Sequence, residues 1–188
     1  MKKIIIIALA VTVLAAGVYA AVLKMKSNNH SAHNIPRTNQ QSQVLPTKTN
    51  PINNSSQTPG LSIVSAMVED NADPVNKQAI SDRLQIAVQN TSTQMMTNFE
   101  IYYVITDTKT GQKEAYYQKL TDLQLPAGQT KTIYFDNVSA AGHYPENQYS
   151  LYRSSKNEVT FTIQLSTPDF KLSIGTTKKS AGTGETAE

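Results

Sequence analysis

The 188-residue chain contains no cysteine and no tryptophan. The first absence excludes disulfides, thiolate metal sites, cysteine nucleophiles and thioether lipid anchors. Both together exclude the disulfide-and-tryptophan core of antibody domains, so a sandwich built from this sequence must pack aliphatics, Phe and Tyr. Histidine is scarce: His30 and His33 fall in a polar stretch where nothing fixes their geometry, and His143 stands alone. A lone histidine with no patterned Ser or Asp partner reads as a turn or surface residue rather than a general base. Neither a glycine-rich phosphate loop nor a zinc-ligand spacing occurs. The chain is therefore read as a non-enzyme, with no catalytic residue and no cofactor.

Acidic residues are missing from positions 1–60, which carry Lys2, Lys3, Lys24, Lys26, Arg37 and Lys48. Residues 61–170 carry eight Lys/Arg against twelve Asp/Glu. The formal net charge of +3 thus belongs to the N-terminal part. The remainder is mildly acidic and lacks the basic patch that nucleic acid requires.

What is present begins with an uncharged, mostly apolar run from Ile4 to Leu23, flanked by lysines at both ends. Twenty residues at 1.5 Å each span about 30 Å, the thickness of a bilayer core. Ile4, Leu9, Leu14 and Leu23 mark a helix with no polar face, and residues 1–26 are expected to be a single-pass anchor. The alternative is a secretory signal cut near Ala20, where Val18-Tyr19-Ala20 offers a small residue at the cut. The short lysine-bearing end reads as cytoplasmic. Either way the C-terminal part is expected outside the cytoplasm, at the cell membrane or secreted.

Residues 27–60 are rich in Asn, Ser, Gln, Thr and Pro with isolated aliphatics. Such a stretch buries too little apolar surface to offset ordering entropy and is expected to be a disordered linker. The domain is expected over 61–174, with a disordered tail over 175–188. Five Asn-x-Ser/Thr triplets start at Asn29, Asn53, Asn54, Asn90 and Asn137, as an Asn/Ser/Thr-rich composition produces.

Within the domain, period-2 alternation marks strands. Leu61–Glu69 is β-rich. Leu84, Ile86 and Val88 share one face. Phe99, Ile101, Tyr103 and Ile105 point one way while Tyr102 and Val104 point the other, which predicts a central strand. Asp107 to Gly111 reads as a hairpin loop before a return strand over Glu114–Leu120. Pro126-Ala127-Gly128 predicts a type I turn with proline second and glycine fourth. Lys131–Asp136 and Val159–Leu165 complete the alternating segments. Pro145–Ser155 reads equally as a short helix with Tyr149 and Tyr152 on one side or as a strand with Tyr149 and Leu151 inward. The expectation is all-β: an antiparallel sandwich of about seven strands, preceded by one transmembrane helix and the linker.

The run Leu84-x-Ile86-x-Val88-x-Asn90-x-Ser92, then Phe99-Glu100-Ile101-Tyr102-Tyr103, Gly111 and Leu123-x-Leu125-Pro126-Ala127-Gly128-Gln129-Thr130 resembles the membrane-anchored or secreted immunoglobulin-like domains of prokaryotes, among them the FxLYD group. Ile101 stands for that motif's Leu and Tyr103 for its Asp. The resemblance spans about 61–170. It implies an Ig-like or fibronectin-III-like sandwich with a binding or structural role at the cell envelope, and brings no catalytic residues.

Two surfaces are singled out. Tyrosine offers rigid amphipathic contact area, and one member of each pair Tyr102-Tyr103 and Tyr116-Tyr117 must face outward. Tyr102, Tyr116 and Tyr134 are the expected binding surface for an envelope protein or a glycan. Glu69, Asp70 and Asp73 are weak calcium candidates, since that cation prefers oxygen ligands on acidic loops; a solvated turn is the competing reading.

Overall fold

The computed structural model describes residues 44–69, 75 and 84–182. The expected membrane segment 1–26, linker residues 27–43, tail residues 183–188 and the candidates Asp70 and Asp73 lie outside the described residues. Among those described, no helix is long and apolar enough to cross a membrane.

The fold is all-β. Its elements are β1 (Leu61–Val68), β2 (Leu84–Asn90), β3 (Phe99–Asp107), β4 (Lys113–Leu120), β5 (Thr130–Phe135), the two-residue β6 (His143–Tyr144), one helical turn α1 (Leu151–Ser154), β7 (Val159–Ser166) and β8 (Ser173–Lys179). They form two four-stranded sheets, ordered β1-β2-β5-β6 and β4-β3-β7-β8. Pairing is antiparallel except where β6 joins β5.

Alternation in the sequence becomes the core between the sheets. Leu84, Ile86 and Val88 of β2 meet Ile133 and Phe135 of β5 on one side; Phe99, Ile101, Tyr103 and Ile105 of β3 meet Phe161, Ile163 and Leu165 of β7 on the other. Each fully buried aliphatic or Phe contributes about 1.5–3 kcal/mol. β3 lies between β4 and β7, the interior position that its two apolar-leaning faces predict. Tyr103 is buried in the core, with its ring centroid 5.4 Å from that of Tyr116 and 5.9 Å from that of Phe135. Burial pushes the hydroxyls of Tyr103 and Tyr116 well above the usual tyrosine range.

The β3–β4 hairpin is pinned by one carboxylate. Asp107 Oδ1 accepts from the amides of Lys109 and Thr110, and Oδ2 from Ser155 Oγ and Asn157 Nδ2 at 2.6 and 2.9 Å. Gly111 takes φ +73° in that loop.

Four features differ from expectation. The described part of the supposed linker, 44–60, lies against the domain as an extended strap. β8 continues to Lys179, past the expected boundary at 174, because its backbone completes the ladder along β7 from Val159 to Leu165. The turn after β4 is shifted by one residue: Gln129 N donates to Pro126 O, placing Gly128, at φ +70°, third, the position where a type II turn requires positive φ. In 145–155 the chain forms the single turn α1, with Leu151 and Tyr152 buried and Tyr149 exposed. The pairing of Tyr149 with either neighbour therefore does not occur.

Candidate functional site

The outer face of the β4-β3-β7-β8 sheet is built by strand register. Tyr117 lies opposite Tyr102, Tyr102 opposite Gln164, and Gln164 opposite Ile174. A row of two tyrosines, an amide and an aliphatic therefore crosses all four strands. A second row, Ala115, Val104, Thr162 and Thr176, runs beside it. Glu100 sits next to the first row and accepts from Tyr117 Oη at 2.5 Å. Burial, then the adjacent Glu100 carboxylate, pushes the Tyr117 hydroxyl up to about 12, so it donates at any physiological pH. Ile174 is 63% exposed.

The strap crosses this face. Thr47 N donates to Ala115 O on the free edge of β4, which covers part of an edge that would otherwise invite pairing. Asn50 Nδ2 donates to Gln164 Oε1 at 2.8 Å. Asn54 Nδ2 reaches Ser166 Oγ, Thr167 O and Phe170 O within 3.1 Å. Ser56 Oγ donates to Asp169 O, and Lys171 N to Thr58 O. Side-chain oxygens of Asn50, Asn54 and Ser56 also accept from the amides two residues on, of Ile52, Ser56 and Thr58. These are the local turns that Asx and Ser residues favour.

Where the strap meets the β7–β8 loop and the start of β3, a polar cleft of about 660 Å³ opens. Asn53 and Ser55 supply one wall, and Asn98, Glu100, Ser166 and Asp169 the other. Its amides, hydroxyls and two carboxylates, with no basic side chain among them, suit a neutral polyhydroxylated ligand better than an anion.

The candidate tyrosines do not form one surface. Tyr102 faces outward on this sheet. Tyr116 is 1% exposed, donates to Glu114 Oε2 at 2.7 Å and accepts from Asn147 Nδ2. It belongs to the core, and Tyr117 is the outward member of its pair. The parity of Leu120, which shares a face with Tyr116, is the signal that reveals this. Tyr134 lies on the outer side of the other sheet, with its ring 4.7 Å from that of His143. His143 Nδ1 in turn faces the Asp136 carboxylate at 2.9 Å. This half-buried pair ties β6 to the end of β5 rather than presenting a base to solvent.

Of the calcium candidates, Glu69 is described. Its Oε1 accepts from Gln85 Nε2 and its carbonyl from Tyr152 Oη. Among the described residues no three acidic, His or Cys side chains stand close enough to hold a metal. Tyr117 is named in its pair by the sequence but with Tyr116 as the outward member, and Glu100, Gln164 and the contacts of the strap asparagines carry no signal in an apolar pattern.

No family model matches the chain, and no curated protein matches it. Among solved structures it is similar to the sporulation control protein Spo0M of Bacillus subtilis, at 9% identity and a TM-score of 0.37, over 66% of this chain and 50% of that one. It is also similar to a β-glucosidase involved in saponin metabolism from intestinal bacteria, at 17% identity and a TM-score of 0.33, over 65% of this chain and 16% of that one. The chain thus spans half or less of each neighbour, and similarity at this level carries no argument about function.

Proposed function

We propose that this chain is a non-enzymatic binding module of the cell envelope: an Ig-like, fibronectin-III-like sandwich of the FxLYD kind, held outside the cytoplasm by its N-terminal apolar helix. The strand order supports the Ig-like reading, since β1-β2-β5 against β4-β3-β7-β8 corresponds to strands A-B-E against C′-C-F-G. The observation that carries the binding role is the row Tyr117–Tyr102–Gln164–Ile174. It combines aromatic, aliphatic and amide surface on a rigid sheet, the composition that favours protein contact. A photo-crosslinker placed at Ile174 in intact envelopes should capture a discrete partner, and the same probe at Tyr134 on the opposite sheet should not. Equal capture from both faces would refute the assignment. Tyr102→Ser should abolish capture without unfolding the domain.

The polar cleft favours a second reading, a glycan-binding accessory domain. Glycan-array binding that is lost in Glu100→Gln and unchanged in Tyr134→Ser would select it. Secretion after cleavage near Ala20 is separable by mass spectrometry of the mature N-terminus.

A further inference from the structure

We propose that the strap, residues 44–59, exchanges between copies of this chain, so that the outer face of one domain is crossed by the strap of another. Three observations converge on it. First, the docking bonds join groups far apart in sequence: Asn50 and Asn54 lie 112–116 residues from their partners on β7 and the following loop. A second copy presents identical donors and acceptors, so exchange preserves each of these bonds and changes only which chain supplies it.

Second, the attachment is mostly polar. Val44 and Ile52 are the strap's only half-buried aliphatics; Leu45 is 67% exposed. The rest of the attachment is hydrogen bonding that water can replace when the strap lifts, with a net value of about 0.5–1.5 kcal/mol per bond.

Third, a pivot and sufficient reach are present. The strap ends at Pro59-Gly60, where Gly60 has φ +147° and a Cβ would stand 2.9 Å from the Phe170 ring. Only glycine fits there, and it can swing the preceding chain. Sixteen extended residues reach about 53 Å, well beyond a domain whose radius of gyration is about 13 Å. Against exchange stands the high effective concentration of a strap tethered to its own domain, of millimolar order for short linkers. The closed monomer therefore dominates in dilute solution, and exchange belongs to crowded conditions, such as a membrane surface densely populated by anchored copies.

The natural absence of cysteine makes the test clean. Asn53→Cys on the strap and Pro168→Cys on the β7–β8 loop both line the cleft. Full-length Asn53→Cys and isotope-labelled full-length Pro168→Cys are mixed in detergent at about 1 mM, the scale of the competing tether. They are held for longer than the strap amides take to exchange with deuterium, then treated with a short bis-maleimide. A crosslinked pair joining the two variants is expected to grow with the length of the hold, and sooner when both copies carry Asn54→Ala, because those bonds are lost alike from the closed and the exchanged form. If the mixture yields no mixed pair, or a yield that does not grow with the hold, the proposal is overturned. Neither result depends on a partner or on membrane insertion, so the outcome is separable from the binding role proposed above.

Discussion

Asn90 shows how much one side chain can hold. It is fully buried at the end of β2. Its Nδ2 donates to Gln94 O and Leu125 O at 2.7 and 2.9 Å, and its Oδ1 accepts from the amide and hydroxyl of Ser92. One amide thus ties the β2–β3 loop to the β4–β5 loop. Asn90→Ala should cost about 1–3 kcal/mol, because the buried amide joining the two loops is lost and Leu125 O keeps only the Met96 amide as donor. Asn90→Asp should cost more, since an acceptor would face the Gln94 and Leu125 carbonyls. Urea unfolding measures both, and equal stability of Asn90→Asp and the parent would defeat this account. Asp107 plays the corresponding part at the other end, and it titrates. The hydroxyl of Ser155, the amide of Asn157 and two backbone amides hold its carboxyl well below the ordinary value of 3.8. The unfolded chain therefore binds this proton first as pH falls. The stabilisation is complete above the ordinary carboxylate range and drains away as the pH drops toward the folded value. Denaturant melts between pH 2 and 6 should show Asp107→Asn less stable than the parent at pH 6, with a shallower loss on acidification. Parallel curves would refute it.

At the scale of elements, the sequence was most readable where burial is apolar. Strands β2, β3, β5 and β7 announce themselves through alternating aliphatics and Phe, and the interior position of β3 follows from its two faces. β8 was missed because Ser173 to Lys179 offers only Ile174 as a large aliphatic, and that side chain points outward. It is a strand because β7 has a free ladder to pair, a tertiary cause that local composition does not record. The strap was missed for a related reason. Ile52, Asn54 and Ser56 alternate inward with Pro51, Asn53, Ser55 and Gln57 outward, a strand's period written mostly in polar residues. An entropy argument based on apolar burial cannot see order held by side-chain hydrogen bonds. Asn54→Ala should raise deuterium exchange at Ser56 and Thr58 by about tenfold while the β3 amides keep their protection. Uniform loss of protection would mean that the strap is integral to the core. The seam between sheets offers a sharper test. At Gly175 of β8 a Cβ would meet Ile63 Cγ2 of β1 at 2.9 Å. Gly175→Ala should therefore destabilise by about 1–3 kcal/mol. In an Ile63→Ala background the same substitution should become neutral or slightly stabilising, because a strand glycine is entropically costly. A double-mutant cycle with no coupling would refute this contact.

At the scale of the whole molecule, the strap extends the folded part toward the N-terminus beyond the expected boundary at 61. Of the 34 residues expected to link an anchor to the domain, the 17 from 44 to 60 lie along the sandwich. The buried core runs from Leu61 to Phe170, with Val44 packed against it, so the anchor and the fold should be separable. Deleting residues 2–26 should move the chain from the membrane pellet to the soluble fraction and change the melting temperature of the sandwich by less than about 2 °C, because no residue of that core is removed. Carbonate extraction followed by calorimetry reads both. A deleted chain that still sediments with membranes would show that the domain itself binds the bilayer. A large fall in melting temperature would show that the leader contributes to the fold, and either result would overturn the separation of anchor and binding domain on which the proposed function rests.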